Sequence, residues 1–386
     1  MSFKLGLSRF LRTISFRKRR EIKLISVGSV ESAHGGKTMG GVARFNSTLA
    51  RTWSEHPELG INVVGIVATN SDLSEDPVTG ITYFHNLNGE SHPKPLTRII
   101  EEHKPDCILF HHISHAWAAS IADIQSPTHM MGFAHSWINV REGRDKNFPH
   151  KLNLVKKSLT RLDHLLFLSE HCRNEMTDFM LSPTCSISVV PPPLPQLNKA
   201  LDIQKSGFDR EIGHIVYLGN LLEHKNPMPL VEAINLLKET TLTIIGSGQQ
   251  HDEIKDFVRK NKLADRINLL GNISDGEISK IMLKADVFCL PSHYEAFGLV
   301  YLEALEHGLP VIGYGPSITA IEKEMKIKCG IPLKNYDSLS IANAIEECMD
   351  IEWKRTQIQK IVTSTFNPYS ISKRMANIIH SSIRQK

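Results

Sequence analysis

The sequence predicts an α/β protein built as two doubly wound parallel sheets, and three observations carry that prediction. From residue 22 to residue 169, short apolar runs suited to buried strands alternate with segments of helical periodicity. The same alternation resumes at His214 and runs past Gly315. Between the two halves lies S-V-V-P-P-P-L-P-Q, whose consecutive prolines Pro191, Pro192 and Pro193 can neither enter a sheet interior nor continue a helix. The chain therefore divides into a basic segment at 1–20, a first domain at 21–190, a linker at 191–205, a second domain at 206–368 and a final helix within 369–386.

I-K-L-I-S-V at 22–27 is the first strand. The loop after it, Gly28 to Gly41, holds five glycines and ends in Gly40-Gly41 before a helix over 42–53. A glycine-rich passage from strand to helix permits close backbone approach, although this one is not G-x-G-x-x-G. Strands at 61–69, 106–112, 129–135 and 164–169 then alternate with helices at 95–103, 115–124 and around 152–162. His135 ends a strand, where open α/β sheets meet their ligands, although a histidine there can equally be structural. His111, His112 and His115 follow another strand, but their spacing fits no standard metal site.

In the second half, H-I-V-Y-L-G-N at 214–220 places Gly219 and Asn220 at a strand end. His224-Lys225-Asn226 then leads into a helix with Pro227 in its first turn. The strand at 242–246, a Gly246-Ser247-Gly248 turn, a helix to Leu263 and the strand I-N-L-L-G at 267–271 follow, with Leu270 near its end.

The densest stretch is Pro291 to Gly315, P-S-H-Y-E-A-F-G-L-V-Y-L-E-A-L-E-H-G-L-P-V-I-G-Y-G. The apolar run A-D-V-F-C-L before it is a buried parallel strand ending at Pro291. Phe297, Gly298 and Leu299 form a turn into a helix over 300–307, closed by Gly308 and Pro310. Free amides at such a helix start favour an anion. Glu295 precedes the helix and Glu303 lies one turn inside it, so they reach different depths of one crevice rather than sharing a proton. A carboxylate accepts two hydrogen bonds at once, which suits vicinal sugar hydroxyls. Taken singly, Glu295 also fits a helix-start cap and Glu303 a solvated face.

The pattern E-A-F-G-L-V-Y-L-E followed by A-L-E-H-G-L-P-V-I resembles the signature of the retaining glycosyltransferases of family four, which have the GT-B fold of two Rossmann-like domains around a cleft. The resemblance covers residues 22–383 and is strongest in the second domain. It implies that Glu295 contacts the donor sugar, that the amides of Phe297, Gly298 and Leu299 hold sugar and diphosphate, and that Glu303 binds the ribose. It assigns His135 to the donor sugar, Gly40 and Gly41 to the donor phosphates, and Leu270 to a backbone contact with the nucleobase. The segment from Gly219 to Lys225 is similar to the family's G-R-x-x-x-x-K, with Lys225 at the Lys position and Asn220 in place of the Arg that completes the diphosphate clamp. The first domain then takes the acceptor, a saccharide or lipid-linked species, and the second takes the nucleotide sugar. Bacterial polysaccharide or lipopolysaccharide assembly is the implied setting. A GT-B nucleotide-sugar epimerase and a noncatalytic GT-B subunit, the latter suggested by Asn220, remain as alternatives.

D-x-D is absent from the sequence, so no metal or other cofactor is expected and the diphosphate would be met by side-chain cations and helix amides. Cys107, Cys172, Cys185, Cys289, Cys329 and Cys348 are scattered without C-x-x-C and read as reduced packing residues of a cytoplasmic protein. No signal peptide or membrane span is expected. Of the 45 basic residues, seven fall in residues 1–20 with no acid among them, leaving 38 against 41 acids elsewhere. Basic character so confined excludes a nucleic-acid face. Phe3, Leu7, Phe10, Leu11 and Ile14 form one helical stripe in that segment, with Lys4, Arg9 and Arg12 on the rest of the wheel. That is the pattern of a helix lying on an anionic membrane surface, and it places the chain at the inner face of the plasma membrane.

Overall fold

The computed structural model describes residues 20–30, 41–68, 71–84, 93–111, 113, 121–135, 148–180, 184–194 and 213–385. Two parallel sheets organise them. The first holds β1 (Ile22–Gly28), β2 (Ile61–Ala68), β3 (Tyr83–Phe84), β4 (Cys107–Phe110), β5 (His129–Ala134), β6 (His164–Phe167) and β7 (Ser186–Val189), in the order β3-β2-β1-β4-β5-β6-β7. The second holds β8 (Gly213–Leu218), β9 (Thr240–Ile245), β10 (Ile267–Gly271), β11 (Val287–Leu290), β12 (Val311–Tyr314) and β13 (Gly330–Leu333), in the order β10-β9-β8-β11-β12-β13. Each order reverses direction once, at β1/β4 and at β8/β11, and such switch points open a crevice beyond the strand ends.

The helices of the first domain are α1 (Gly41–Glu55), α2 (Pro93–His103), α3 (Phe148–Leu159) and α4 (Glu170–Met180). Those of the second are α5 (Pro227–Leu236), α6 (His251–Lys260), α7 (Asp275–Lys284), α8 (Leu299–Glu306), α9 (Gly315–Met325), α10 (Ser338–Asp350) and α11 (Arg355–Thr365), followed by α12 (Pro368–Arg384). The strands at the switch points are apolar and covered on both faces: Cys107 to Phe110 and Val287 to Leu290 are buried throughout. This is the doubly wound architecture that alternation predicts. Two first-sheet strands have no sequence signature: β3 is two residues long, and β7 is the half-exposed S-I-S-V at the sheet edge, immediately before the prolines.

The chain crosses between the domains at two places that are bonded to one another. Leu194 N donates to Phe366 O at 2.8 Å, and the buried Phe366 ring stands edge-on to Phe297 at 5.7 Å. Beyond that crossing, α12 lies against the first domain. Trp53 Nε1 donates to Ser372 O at 3.2 Å, and the Ser382 hydroxyl is shared between His129 at 2.8 Å and His164 at 3.0 Å. Burial, reinforced by neighbouring His129, pushes His164 down to about 4.

None of the six cysteines is paired, and all but the half-buried Cys185 are buried. Burial raises every one of these thiols, Cys172 to about 12. Among the described residues no helix is long and apolar enough to cross a membrane.

Candidate active site

The site is assembled at the carboxyl end of β11, where the buried Ser292 donates to Glu295 Oε1 at 2.8 Å. The opposing wall is the turn Glu223–Lys225, which ends in a left-handed Asn226 (φ 57°) whose side-chain amide is anchored on Tyr336 O at 2.8 Å. His293 N donates to His224 O at 2.9 Å and ties the two walls together. Lys225 Nζ consequently meets Glu295 Oε1 at 2.6 Å, with only 22% and 13% of the two side chains exposed. Such an ion pair positions both groups while leaving the other carboxylate oxygen for a ligand.

The turn that follows is sterically determined. Gly298 adopts φ +80°, and a Cβ there would lie 2.3 Å from Tyr301 Cδ2. Tyr301 cannot yield, because it is buried and its hydroxyl donates to Leu290 O at 2.7 Å while accepting from Tyr314 N at 3.0 Å. Helix α8 begins directly on this glycine with no side-chain cap, so its first amides face the crevice. Across the crevice Gly41 opens α1, and a Cβ on it would stand 3.1 Å from Leu299 Cδ1. The two helix starts therefore meet at near-contact distance.

A cavity of about 210 Å³ lies between them, lined by Gly41, Val42, Phe45 and His135 from the first domain and by Lys225, Glu295, Phe297, Gly298 and Leu299 from the second. His135 directly follows β5, is 8% exposed, and its Nε2 lies 3.2 Å from His111 Nδ1. The Phe45 ring packs edge-on against it at 4.8 Å.

Glu303 stands one turn deeper on α8 and is bound from the first domain: Arg44 Nη1 meets its Oε1 at 2.6 Å, while Arg44 Nη2 meets Asp275 at 3.1 Å. Three residues on, the carboxyl of Glu306 is raised to about 8 by burial and by the neighbouring Glu303 charge. Its Oε2 has no hydrogen-bond partner among the described residues.

Of the residues expected from sequence, the structure brings Lys225, Glu295, His135, Gly41, Phe297, Gly298 and Leu299 around one cavity. Glu303 is set apart on Arg44. Gly219 and Asn220 follow β8, the Asn220 carbonyl accepting from Tyr217 OH at 2.8 Å. Leu270 is half-buried near the end of β10, the sheet edge. Gly40, His112, His115 and residues 1–19 lie outside the described residues.

Sequence reasoning passed over Arg44, Ser292 and Tyr301. A weak signal existed for Arg44, a base one helical turn after the glycine pair, but nothing local marks the carboxylate it meets. With Lys225 on Glu295, Arg44 on Glu303 and open helix amides at the start of α8, the crevice can hold a phosphorylated polyol: anion at the helix start, hydroxyls on the carboxylates.

Comparison with known proteins bears on the same two halves. Residues 39–195 match the family description of Glycosyltransferase Family 4, and residues 198–364 match that of glycosyl transferases group 1. The chain is 30% identical over 145 residues to a glycogen synthase of Mycobacterium tuberculosis, covering 35% of this chain and 34% of the relative. It is 33% identical over 127 residues to an Escherichia coli UDP-Gal:α-D-GlcNAc-diphosphoundecaprenol α-1,3-galactosyltransferase, covering 31% of this chain and 32% of the relative. Each match thus spans about a third of the curated relative's length. Among solved structures, the sucrose-phosphate synthase of Thermosynechococcus elongatus superposes with a TM-score of 0.71 at 19% identity, covering 94% of this chain and all of that one. Anabaena HepE in complex with UDP-glucose superposes with a TM-score of 0.68 at 16% identity and the same coverage.

Proposed function

We propose, from the premise that this chain belongs to the glycosyltransferases of family 4, that it moves a sugar from a nucleotide-sugar donor to a saccharide or lipid-linked acceptor in bacterial polysaccharide or lipopolysaccharide assembly. The observation that carries this reading is the Lys225–Glu295 pair beside the uncapped start of α8, within a cavity shared by two doubly wound domains. The E. coli galactosyltransferase named above and the Bacillus subtilis poly(glycerol-phosphate) α-glucosyltransferase, 29% identical over 162 residues, support the setting.

The chemistry is departure of a nucleoside diphosphate from an anomeric carbon. As that bond breaks, negative charge grows on the leaving phosphate, and Lys225 Nζ with the Gly298 and Leu299 amides is preorganised to receive it. A donor of this kind contributes about 3 kcal/mol to the transition state. Glu295 accepts hydrogen bonds from hydroxyls of the departing sugar and is aimed by Lys225 and Ser292. Glu303 takes the ribose hydroxyls, His135 a hydroxyl on the far side of the sugar, and the Leu270 backbone the base. Gly40 and Gly41 bring backbone against the phosphates, and Gly219 with Asn220 closes the crevice at the switch point. Attack from the face of departure gives retention, and the reaction runs without a metal, since cations and helix amides supply the charge.

The experiment is a panel of UDP-, GDP- and ADP-sugars screened by thermal shift, followed by product analysis of the binding donor in EDTA. Ligand at 100 times its dissociation constant stabilises the fold by about 2.7 kcal/mol. Binding, with an α-linked product from an α-linked donor in the chelator, is the expected result. Turnover restored only by magnesium or manganese would overturn the metal-free mechanism. Donor turnover without an acceptor would mark an epimerase, and neither binding nor hydrolysis of any donor would mark a noncatalytic subunit.

A further inference from the structure

The first domain contributes an arginine to the second domain's crevice, and position 220 explains the need for it. Lys225 is already committed to Glu295 at 2.6 Å, and Glu303 adds a second carboxylate, so these three side chains leave one negative charge in excess before any ligand arrives. A diphosphate adds more, and Asn220 offers it no cation. Arg44 adds a cation from across the cleft: it binds Glu303 Oε1 at 2.6 Å with both side chains less than a fifth exposed, where screening by water is weak, while its Nη2 meets the more exposed Asp275 at 3.1 Å.

The two helices set its reach. Gly41 stands against Leu299 and Arg44 pairs with Glu303, so the first turn of α1 meets both the start of α8 and the turn that follows. Leu299 and Glu303 are four residues apart, about 6 Å along the helix axis, which is within the swing of an arginine side chain. The guanidinium on Glu303 is therefore one pivot from the amides at the start of α8, and a phosphate there would draw it from the exposed Asp275 while its fork can still reach Glu303.

We propose that Arg44 is the second cation of the diphosphate site, supplied in trans by the first domain in place of the basic residue that position 220 lacks. This rests on the donor reading above, and it makes the anion site complete only when the domains are together. Because the guanidinium and the α8 amides belong to different domains, a diphosphate bridges them and couples nucleotide binding to closure.

The test is calorimetric titration of UDP, ADP and GDP, and of the matching nucleoside, into the full chain and its Arg44→Ala, Arg44→Lys, Asn220→Arg and Arg44→Ala/Asn220→Arg variants. Arg44→Ala weakens the diphosphate about tenfold or more, the scale of one charge-assisted contact, and leaves the nucleoside unaffected. Arg44→Lys, which keeps the charge, retains most of the affinity and guards against a folding defect in the alanine variant. Asn220→Arg recovers more affinity in the Arg44→Ala background than it adds to the wild type, the non-additivity expected of two residues serving one phosphate. Equal weakening of nucleoside and diphosphate by Arg44→Ala would overturn the proposal, reducing Arg44 to an aligner of Glu303. Unchanged or tighter diphosphate binding would also overturn it, making Arg44 a latch. A wild type that binds none of the three diphosphates overturns the donor reading and this inference together.

Discussion

Replacing Gly298 by alanine tests whether the turn into α8 is held by geometry. Two costs fall on that position. An L-residue in the left-handed region at φ +80° is disfavoured by about 1–2 kcal/mol. The new Cβ would also lie 2.3 Å and 2.5 Å from two carbons of the Tyr301 ring, whose hydroxyl is fixed by Leu290 and Tyr314, so the backbone must move instead. Overpacking of that kind costs about 1–3 kcal/mol. Gly271 separates the two contributions: its φ is +65°, but a Cβ there meets nothing within 4 Å. Gly271→Ala should therefore lower the melting temperature by about 2–6 °C and Gly298→Ala by about 5–12 °C, at a few degrees per kcal/mol for a domain of this size. The displaced Leu299 amide should also reduce kcat/KM about a hundredfold, as the loss of one oriented donor does. Thermal denaturation of both variants, with steady-state turnover of Gly298→Ala, decides the matter. If the two variants melt together and Gly298→Ala turns over like the wild type, Tyr301 does not hold the turn.

Lys225→Ala should lower kcat about a hundredfold with a smaller change in KM, because its charge matters most when the leaving phosphate gathers its own; near-normal turnover would remove it from the site. Glu306 makes stability depend on pH. Its folded carboxyl, raised to about 8, holds a proton that the unfolded chain releases near 4.5, so stability falls as pH rises through that window. Discounted for partial exposure, the fall is about 1–3 kcal/mol. Urea midpoints of Glu306→Gln should lack it, and parallel curves for variant and wild type would sink the assignment. Deleting residues 1–20 should release the protein from anionic vesicles at moderate salt while nucleotide binding persists, and equal cosedimentation of both forms would refute the membrane helix.

What the sequence makes legible is what neighbouring residues decide. Cys107 to Phe110 and Val287 to Leu290 announce buried parallel strands by composition alone, and from their alternation with helices the two sheets follow. The stretch from Glu295 to Glu303 is legible for the same reason: turn, helix start and carboxylates lie within nine residues. What escapes is set by approach through space. Arg44 and Glu303 are 259 positions apart, and no periodicity links them. Gly298 is recognisable as a turn residue, yet the tyrosine ring that forbids any other residue there is visible only in three dimensions. β7 escapes because S-I-S-V has too little apolar character to signal a strand and takes its order from the edge of β6.

The unpaired cysteines have a practical consequence in reactivity toward electrophiles. Alkylation proceeds through the thiolate, and a thiol buried in the core is both inaccessible and strongly protonated at neutral pH. Five of the six are in that condition, Cys172 with its pKa near 12 among them. Cys185 alone is half-buried, its thiol also raised by burial, one residue before the strand β7 that leads to the crossing at Val190 to Leu194. A maleimide should modify the native chain at this one position and the denatured chain at six. The wild-type protein therefore carries one preferred attachment point for a fluorophore, a strand's length ahead of the junction of its domains, with no residue to remove or introduce.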